Sequence, residues 1–577
     1  MNFFTKRMLF VISAFILFFV INLNTPVCSA DRGMRDNMFK PADPEISQKK
    51  EQIGSLIKQR EMEGIDVSEA ISLLEQSRIA MQKGKKDECL RLLDNALAVL
   101  GKKEITEKKQ RQSIEIGQSS KITAELPVGS AKVEVIELVP NVASGKDIGI
   151  YTSAFKTHQL NSENGKVQLN VGSAPLLVKE IINQEDNKLI KQSQVDCKDS
   201  PLGIHDVDEF DDRLLDLGAC WVRHAGRTAL IWNIAEPEKG KFDWSRTDGA
   251  LNDTYKNKLD MIVVVNSFNS WDQGVEPRKR GIKSNREGGE RGRKEGDRGR
   301  KLVKNMDSYQ SFLQKAVKRY PFVKAWQIEN EPNSPRIWAD SPENYLTLLK
   351  ISYQAIKQAN PDAMVVIGGV SDPTAFDGPF WSKIFQELNK RGGKERYFDV
   401  FDAHWFLHES NYTENFKQLT DYIQNIRKKL NEVGYQDTPI WIGEMASYSG
   451  SPFIATREGA IKRNKPYISE KQHAGELIKL YVHTISLGVS KMFWVRLIEW
   501  NGYNRMYGYF DNTGLINNPI NDGESHKKLA YYSYKKLAEI LKGVDIRTIE
   551  VLNLGKDVYA YKLIKNGHPI YFMWADL

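Results

Sequence analysis

The stretch from about residue 200 to 544 predicts an α/β fold, a (β/α)8 TIM barrel, on three observations. Strand-like runs alternate there with helical ones, the strand runs number eight, and two of them end in a glutamate. At 577 residues the chain exceeds one compact core, so further modules are expected around the barrel.

The chain opens with Lys6 and Arg7, an apolar run from Met8 to about Leu23, and the small-residue sequence Cys28-Ser29-Ala30. This is the pattern of a signal peptide over residues 1–30, and it predicts a secreted or periplasmic protein. The run is short for a membrane span, so no membrane association is expected beyond this segment.

Residues 44–104 carry apolar side chains at helical spacing (Ile53, Leu56, Ile57; Ile71, Leu74; Leu90, Leu93, Leu97), broken at Gly64 and Gly84. This reads as a helical module, a spacer or a surface for a protein partner. Residues 112–195 change to alternating strands such as Val133-Glu-Val-Ile-Glu-Leu-Val139 and Val167-Gln-Leu-Asn-Val171, a β-sandwich-like accessory domain.

The barrel strands are read near Ile204 and at 219–223, 259–266, 323–330, 364–368, 398–404, 439–444 and 490–495. Most are β-branched or aromatic, as strands covered on both faces require. The net charge of +8 is concentrated in one place, because residues 274–304 hold twelve Lys/Arg against five Asp/Glu. So few apolar residues stand in this stretch that it reads as a disordered basic insertion in the barrel. No aromatic residue is interleaved with the cations, so no nucleic acid is expected as a partner. Residues 545–577 return to strands, Val558-Tyr-Ala-Tyr-Lys-Leu-Ile564 and Pro569-Ile-Tyr-Phe-Met-Trp574, which read as the beginning of a separate, incomplete C-terminal β domain.

Cleavage after Ala30 would leave Cys89, Cys197 and Cys220, an odd number without a Cys-x-x-Cys pair, so neither a disulfide framework nor a zinc site is specified. The nine histidines show no His-Glu-x-x-His pairing, and there is no glycine-rich phosphate loop. No metal and no cofactor are expected.

Barrel enzymes place their chemistry at the carboxyl ends of strands. The fourth strand ends Trp326-Gln-Ile-Glu-Asn-Glu-Pro-Asn333 and the seventh Pro439-Ile-Trp-Ile-Gly-Glu-Met-Ala446. Glu331 and Glu444 lie 113 residues apart (444 − 331), about three strand–helix units, which sets them across the barrel mouth from each other. Two facing carboxylates suit glycosidic cleavage, with attack by one of them at a separation of about 5–5.5 Å and by water at about 6.5–9.5 Å.

The Asn-Glu-Pro of strand four with Ile-Gly-Glu of strand seven resembles the signature of clan A retaining glycoside hydrolases. The likeness extends from about Leu202 to Leu541, through Trp221-Val-Arg223 and Glu236-Pro-Glu-Lys-Gly-Lys-Phe-Asp-Trp244. It is nearest to the β-xylosidase and α-iduronidase branch or to related bacterial endo-glycosidases. It implies a glycosidase acting on oligo- or polysaccharide by double displacement, with Glu444 as nucleophile and Glu331 as general acid/base. It implies further that Asn330 meets the sugar 2-hydroxyl, that Arg223 holds Glu444, that His404 lies at the site, and that Trp494 forms an apolar floor under the sugar. Where relatives carry a tyrosine two positions after the histidine, this chain has Phe406, and Tyr448 is a substitute source of the hydroxyl. The competing expectation is a catalytically inactive glycan-binding or scaffold protein on the same barrel.

Overall fold

The computed structural model describes part of the helical stretch between residues 45 and 80, then 85–101, 121–142, 154–181, 197–205, 210–274, 300–393, 395–407, 412–450, 453–455, 461–463, 468–500, 509–518 and 526–576. Residues 1–30, where a signal peptide is expected, lie outside the described residues. Among these residues no helix is long and apolar enough to cross a membrane. The chain divides into two compact units, Met1–Arg111 and Gln112–Leu577.

In the first unit the described residues are helical. The helix Lys86–Gly101 buries Cys89, Leu92, Leu93, Ala96 and Leu100 along one stripe, and Ile46, Ile53, Ala70 and Ala80 join them in a small core.

The second unit is built on eight parallel strands: Leu202–His205, Trp221–His224, Asp260–Asn266, Ala325–Ile328, Met364–Ile367, Phe401–Phe406, Ile440–Ala446 and Val489–Trp494. Each pairs with its sequence neighbours, and the eighth pairs with the first. The fifth and sixth meet through the bridges Val366–Val400 and Val370–Ala403, so the sheet closes into a (β/α)8 barrel. Helices outside it present apolar stripes to the strands. Met306–Arg319 buries Tyr309, Phe312, Leu313, Ala316 and Val317, the spacing of a single helix face. Side-chain caps start these helices where the backbone leaves donors unpaired: Asn305 accepts from Ser308 N, Ser341 from Asn344 N, and Ser469 forms a capping box with Gln472.

Period-two alternation sorts the strand residues between barrel interior and helix layer. Trp221, Ala325, Val366, Val400, Trp441 and Phe493 form an interior plug, separate from the cluster that packs between the strands and the helices. Lys491 lies 4.3 Å from the centre of the Trp221 ring within it.

The strands before and after the barrel do not make two domains. Glu550–Leu552, Val558–Lys565, His568–Ala575, Leu176–Ile181, Lys132–Glu137 and Thr157–Asn161 form one six-stranded antiparallel sheet, joined where Ile570–Met573 pairs with Lys179–Leu176. A two-stranded sheet, Ile122–Pro127 with Lys166–Val171, covers one face. The expectation of a separate C-terminal β domain is therefore corrected. The reason is visible in the last strand, where Tyr571 and Met573 pack toward the small sheet while Ile570, Phe572 and Trp574 join the barrel's core. A strand apolar on both faces must be covered on both.

Two further expectations change. Cys197 and Cys220 form a disulfide, with Cα atoms 5.0 Å apart, which ties the segment entering strand one to the start of strand two. The basic insertion is shorter than 274–304 at its far end: residues 275–299 lie outside the described residues, but Arg300 exchanges backbone hydrogen bonds with Ile337 and Ala339, and Val303 is buried.

Candidate active site

The carboxyl ends of the barrel strands surround a pocket of about 290 Å³, whose lining includes His205, Asn330, Glu444, Arg300, Arg496 and Trp500. Two backbone features shape its floor. After strand four the chain turns through two left-handed non-glycine residues, Glu329 at φ 62° and Glu331 at φ 44°, a costly conformation that surrounding structure must hold. Glu329 is fully buried and anchors the turn, accepting from Ser267 N at 2.8 Å and Ser267 Oγ at 2.5 Å, and pairing with Arg300 Nη1 at 3.0 Å. On strand seven a register shift skips Gly443, so that His404 stands directly opposite Glu444.

Glu331, His404 and Glu444 each present an atom within 4.8 Å of the other two. His404 Nδ1 is 2.9 Å from Glu331 Oε1 and 3.9 Å from Glu444 Oε2, and its Nε2 is 3.4 Å from Asp402 Oδ2. Burial opposes charge on this ring, but Glu444, Asp402 and Glu331 outweigh it and push its pKa up to about 10. Two carboxylates and an imidazole are also a donor set for a divalent cation. An ion bound there would take the Nδ1 lone pair in place of a proton.

Arg223 is completely buried and uses its fork on four partners: Nε to Gln327 Oε1 (2.8 Å), Nη1 to Glu444 Oε1 (2.9 Å) and His205 Nδ1 (2.7 Å), and Nη2 to Asn330 Oδ1 (2.6 Å). Burial alone would raise the pKa of Glu444; the charges of His404 and Arg223 reverse this and hold it below the ordinary carboxylate value. Burial keeps His205 itself well below its usual range and hence neutral. Because Asn330 accepts through its oxygen, its amide N–H groups are left for the pocket.

Five of the six residues singled out from sequence, Glu331, Glu444, Asn330, Arg223 and His404, thus converge. Trp494 does not. It alternates with the interior residue Phe493, points into the helix layer, stacks on Tyr481 at 6.2 Å and donates from Nε1 to Thr513 O. Its assignment as a sugar platform is corrected. The tryptophan at the pocket is Trp500, under the Arg496 guanidinium at 4.0 Å. Tyr448 is buried against Tyr509 and does not line the pocket, and the place beside His404 is taken by Phe406, with Phe510 packed on it.

Sequence reasoning missed His205, Gln327, Asp402 and Arg496. His205 ends strand one, so the rule that found the glutamates would have found it. Gln327 and Asp402 lie one interior rung below the strand ends, where no motif marks them.

No protein-family profile matches this chain, and no curated protein matches it. Among solved structures, a family 39 glycoside hydrolase from the gut symbiont Bacteroides cellulosilyticus WH2 aligns with TM-score 0.47 and 17% identity, over 79% of this chain and 88% of that one. A GH39 β-xylosidase from Caulobacter crescentus aligns with TM-score 0.40 and 14% identity, over 65% and 79%. The exo-β-1,4-mannosidase Op5Man5 from Opitutaceae bacterium strain TAV5 gives 0.37 and 13%, over 57% and 54%.

Proposed function

We propose that this protein is an exported retaining glycoside hydrolase acting on oligo- or polysaccharide. The observation that carries the reading is the approach of the Glu331 and Glu444 carboxyl oxygens to within 4.8 Å across the barrel mouth. Oxygens that close favour the ~5–5.5 Å spacing of a nucleophile and acid pair over the ~6.5–9.5 Å that an attacking water needs.

Glu444 is the nucleophile, because it is the carboxylate held in charged form and oriented by Arg223. Glu331, the more exposed of the two at 23% against 11% for Glu444, is the acid that meets the leaving group. In the first displacement a Glu444 oxygen bonds to the anomeric carbon as the glycosidic C–O bond breaks, and the departing oxygen takes the proton of Glu331. In the second, water attacks that carbon, Glu331 takes its proton, and Glu444 leaves. Asn330 donates to a sugar hydroxyl next to the reacting carbon, and Trp500 supplies an apolar face.

The test is hydrolysis of a panel of aryl glycosides and polysaccharides by wild type, Glu331→Ala and Glu444→Ala, with azide as a rescuing nucleophile. Both variants should lose hydrolysis, and azide should restore each with opposite product stereochemistry. Turnover that survives Glu444→Ala, or a wild type that cuts nothing in the panel, overturns the proposal.

A further inference from the structure

Beneath the two glutamates lies a carboxylate that the reaction does not touch. Asp402 sits on strand six, two residues before His404, and is almost wholly buried. Its Oδ2 accepts from Gln327 Nε2 at 2.5 Å, its Oδ1 from Gly443 N at 2.6 Å, and Oδ2 lies 3.4 Å from His404 Nε2. The space it occupies exists because two neighbours lack side chains. A Cβ on Gly369 would collide with His404 Nε2 and come within 2.8 Å of Asp402 Oδ2, and one on Gly443 would lie 2.5 Å from the same oxygen.

Gln327 passes the arrangement on, since its Oε1 accepts from Arg223 Nε while its Nε2 donates to Asp402. A ring of contacts results, running Glu444, Arg223, Gln327, Asp402, His404 and back to Glu444, with Glu331 attached at His404. The charged and titratable groups around the imidazole are Glu331 after strand four, Glu444 on strand seven, Asp402 on strand six and His205 on strand one, which itself interacts with Arg223 on strand two and Arg496 after strand eight. Of these the three nearest are acids.

Resting on the glycosidase reading, we infer that Asp402 is a positioning residue that keeps His404 doubly protonated, so that one imidazolium stands between Glu331 and Glu444 and offsets their repulsion. With the ring charged, Nδ1 donates to Glu331 and hands it the proton that the leaving oxygen takes, and Glu444 keeps its negative charge for attack. The proton lost at the alkaline limb of the rate profile is then the imidazolium's. Removing the Asp402 charge weakens the ring's hold on it, and the limb moves to lower pH.

The experiment uses full-length protein with isotope-labelled histidine, whose nine imidazoles are followed by NMR through a pH titration, His404 being identified from its absence in His404→Gln. In wild type both His404 nitrogens should carry protons at pH 7.5. In Asp402→Asn the midpoint should fall by about 1–3 pH units, as expected for losing an opposite charge at contact distance, and the alkaline limb of aryl-glycoside kcat/KM should fall with it. Asp402→Ser, which removes the charge and leaves room for water, should do the same and serves if the asparagine variant does not fold. A neutral His404 in wild type at pH 7.5, or a midpoint unmoved in either variant, overturns the inference. The NMR result stands whether or not any glycoside is cut, so failure here is distinguishable from failure of the glycosidase reading.

Discussion

Two rungs of the same barrel interior have opposite characters. The lower one packs Trp221 against Trp441 at 5.5 Å with Phe493, Ala325 and Val366 around them. The upper one, two to four residues further along the same strands, holds Arg223, Gln327, Asp402, His404 and Glu444 with hardly any apolar partner. The lower rung gains free energy by excluding water. The upper rung gives some of it up, because buried charges are retained there only through mutual pairing. Stability and chemistry are thus divided along the barrel axis within single strands: Trp221 and Arg223, or Trp441 and Glu444, are near neighbours in sequence with different tasks.

That division predicts different responses to substitution. Trp441→Ala should destabilise the protein by about 3–5 kcal/mol, the usual cost of emptying an aromatic site, while KM of the molecules that remain folded is unchanged; denaturant unfolding and kinetics on one preparation separate the two. A fall in kcat greater than the loss of folded protein would break the comparison. Arg223→Lys should instead lower kcat/KM by about 10²–10³, far more than its stability loss of about 1–3 kcal/mol for acceptors left unpaired accounts for, since a lysine cannot serve Glu444, Gln327 and Asn330 together.

The rungs should also differ in sign with pH. Lys491, in the lower rung, has its pKa lowered by burial from 10.5 to about 8, so the folded protein loses that proton first and stability from this group rises between those values. His404, raised from 6.5 to about 10, contributes stability that is complete below 6.5 and is lost as pH climbs through 10. Over pH 8–10 the two oppose each other, with slopes of at most about 1.4 kcal/mol per pH unit for each proton. Urea titrations should therefore show stability falling more steeply with pH in Lys491→Met than in wild type, and less steeply in His404→Gln; parallel curves would remove the distinction. The smallest effect is expected at Trp494→Phe, a core change costing about 1–2 kcal/mol and leaving KM alone. A tenfold rise in KM would instead restore Trp494 as a substrate contact.

Much of this could be read without coordinates. Closed βα alternation follows from eight apolar runs with helices between them, and a carboxylate at the end of a barrel strand faces the mouth wherever that strand sits. Trp494 shows a rule left unused: strand alternation puts it on the opposite face from Phe493, and that parity is written in the sequence. The last strand shows another, since an unbroken Ile-Tyr-Phe-Met-Trp run already demands cover on both sides.

What the sequence by itself determined is which residues end strands four and seven and hence that Glu331 and Glu444 share a mouth. Tertiary structure alone decided the rest of the site. The gap between those carboxylates depends on two left-handed residues and a one-residue register shift, neither of which a side-chain pattern encodes. The pairing of Cys197 with Cys220, the union of the terminal strands in one sheet, and the meeting of Asp402 with Gln327 and His404 are contacts through space. Burial and charge act through distance between atoms, and barrel closure brings together residues that the chain holds far apart.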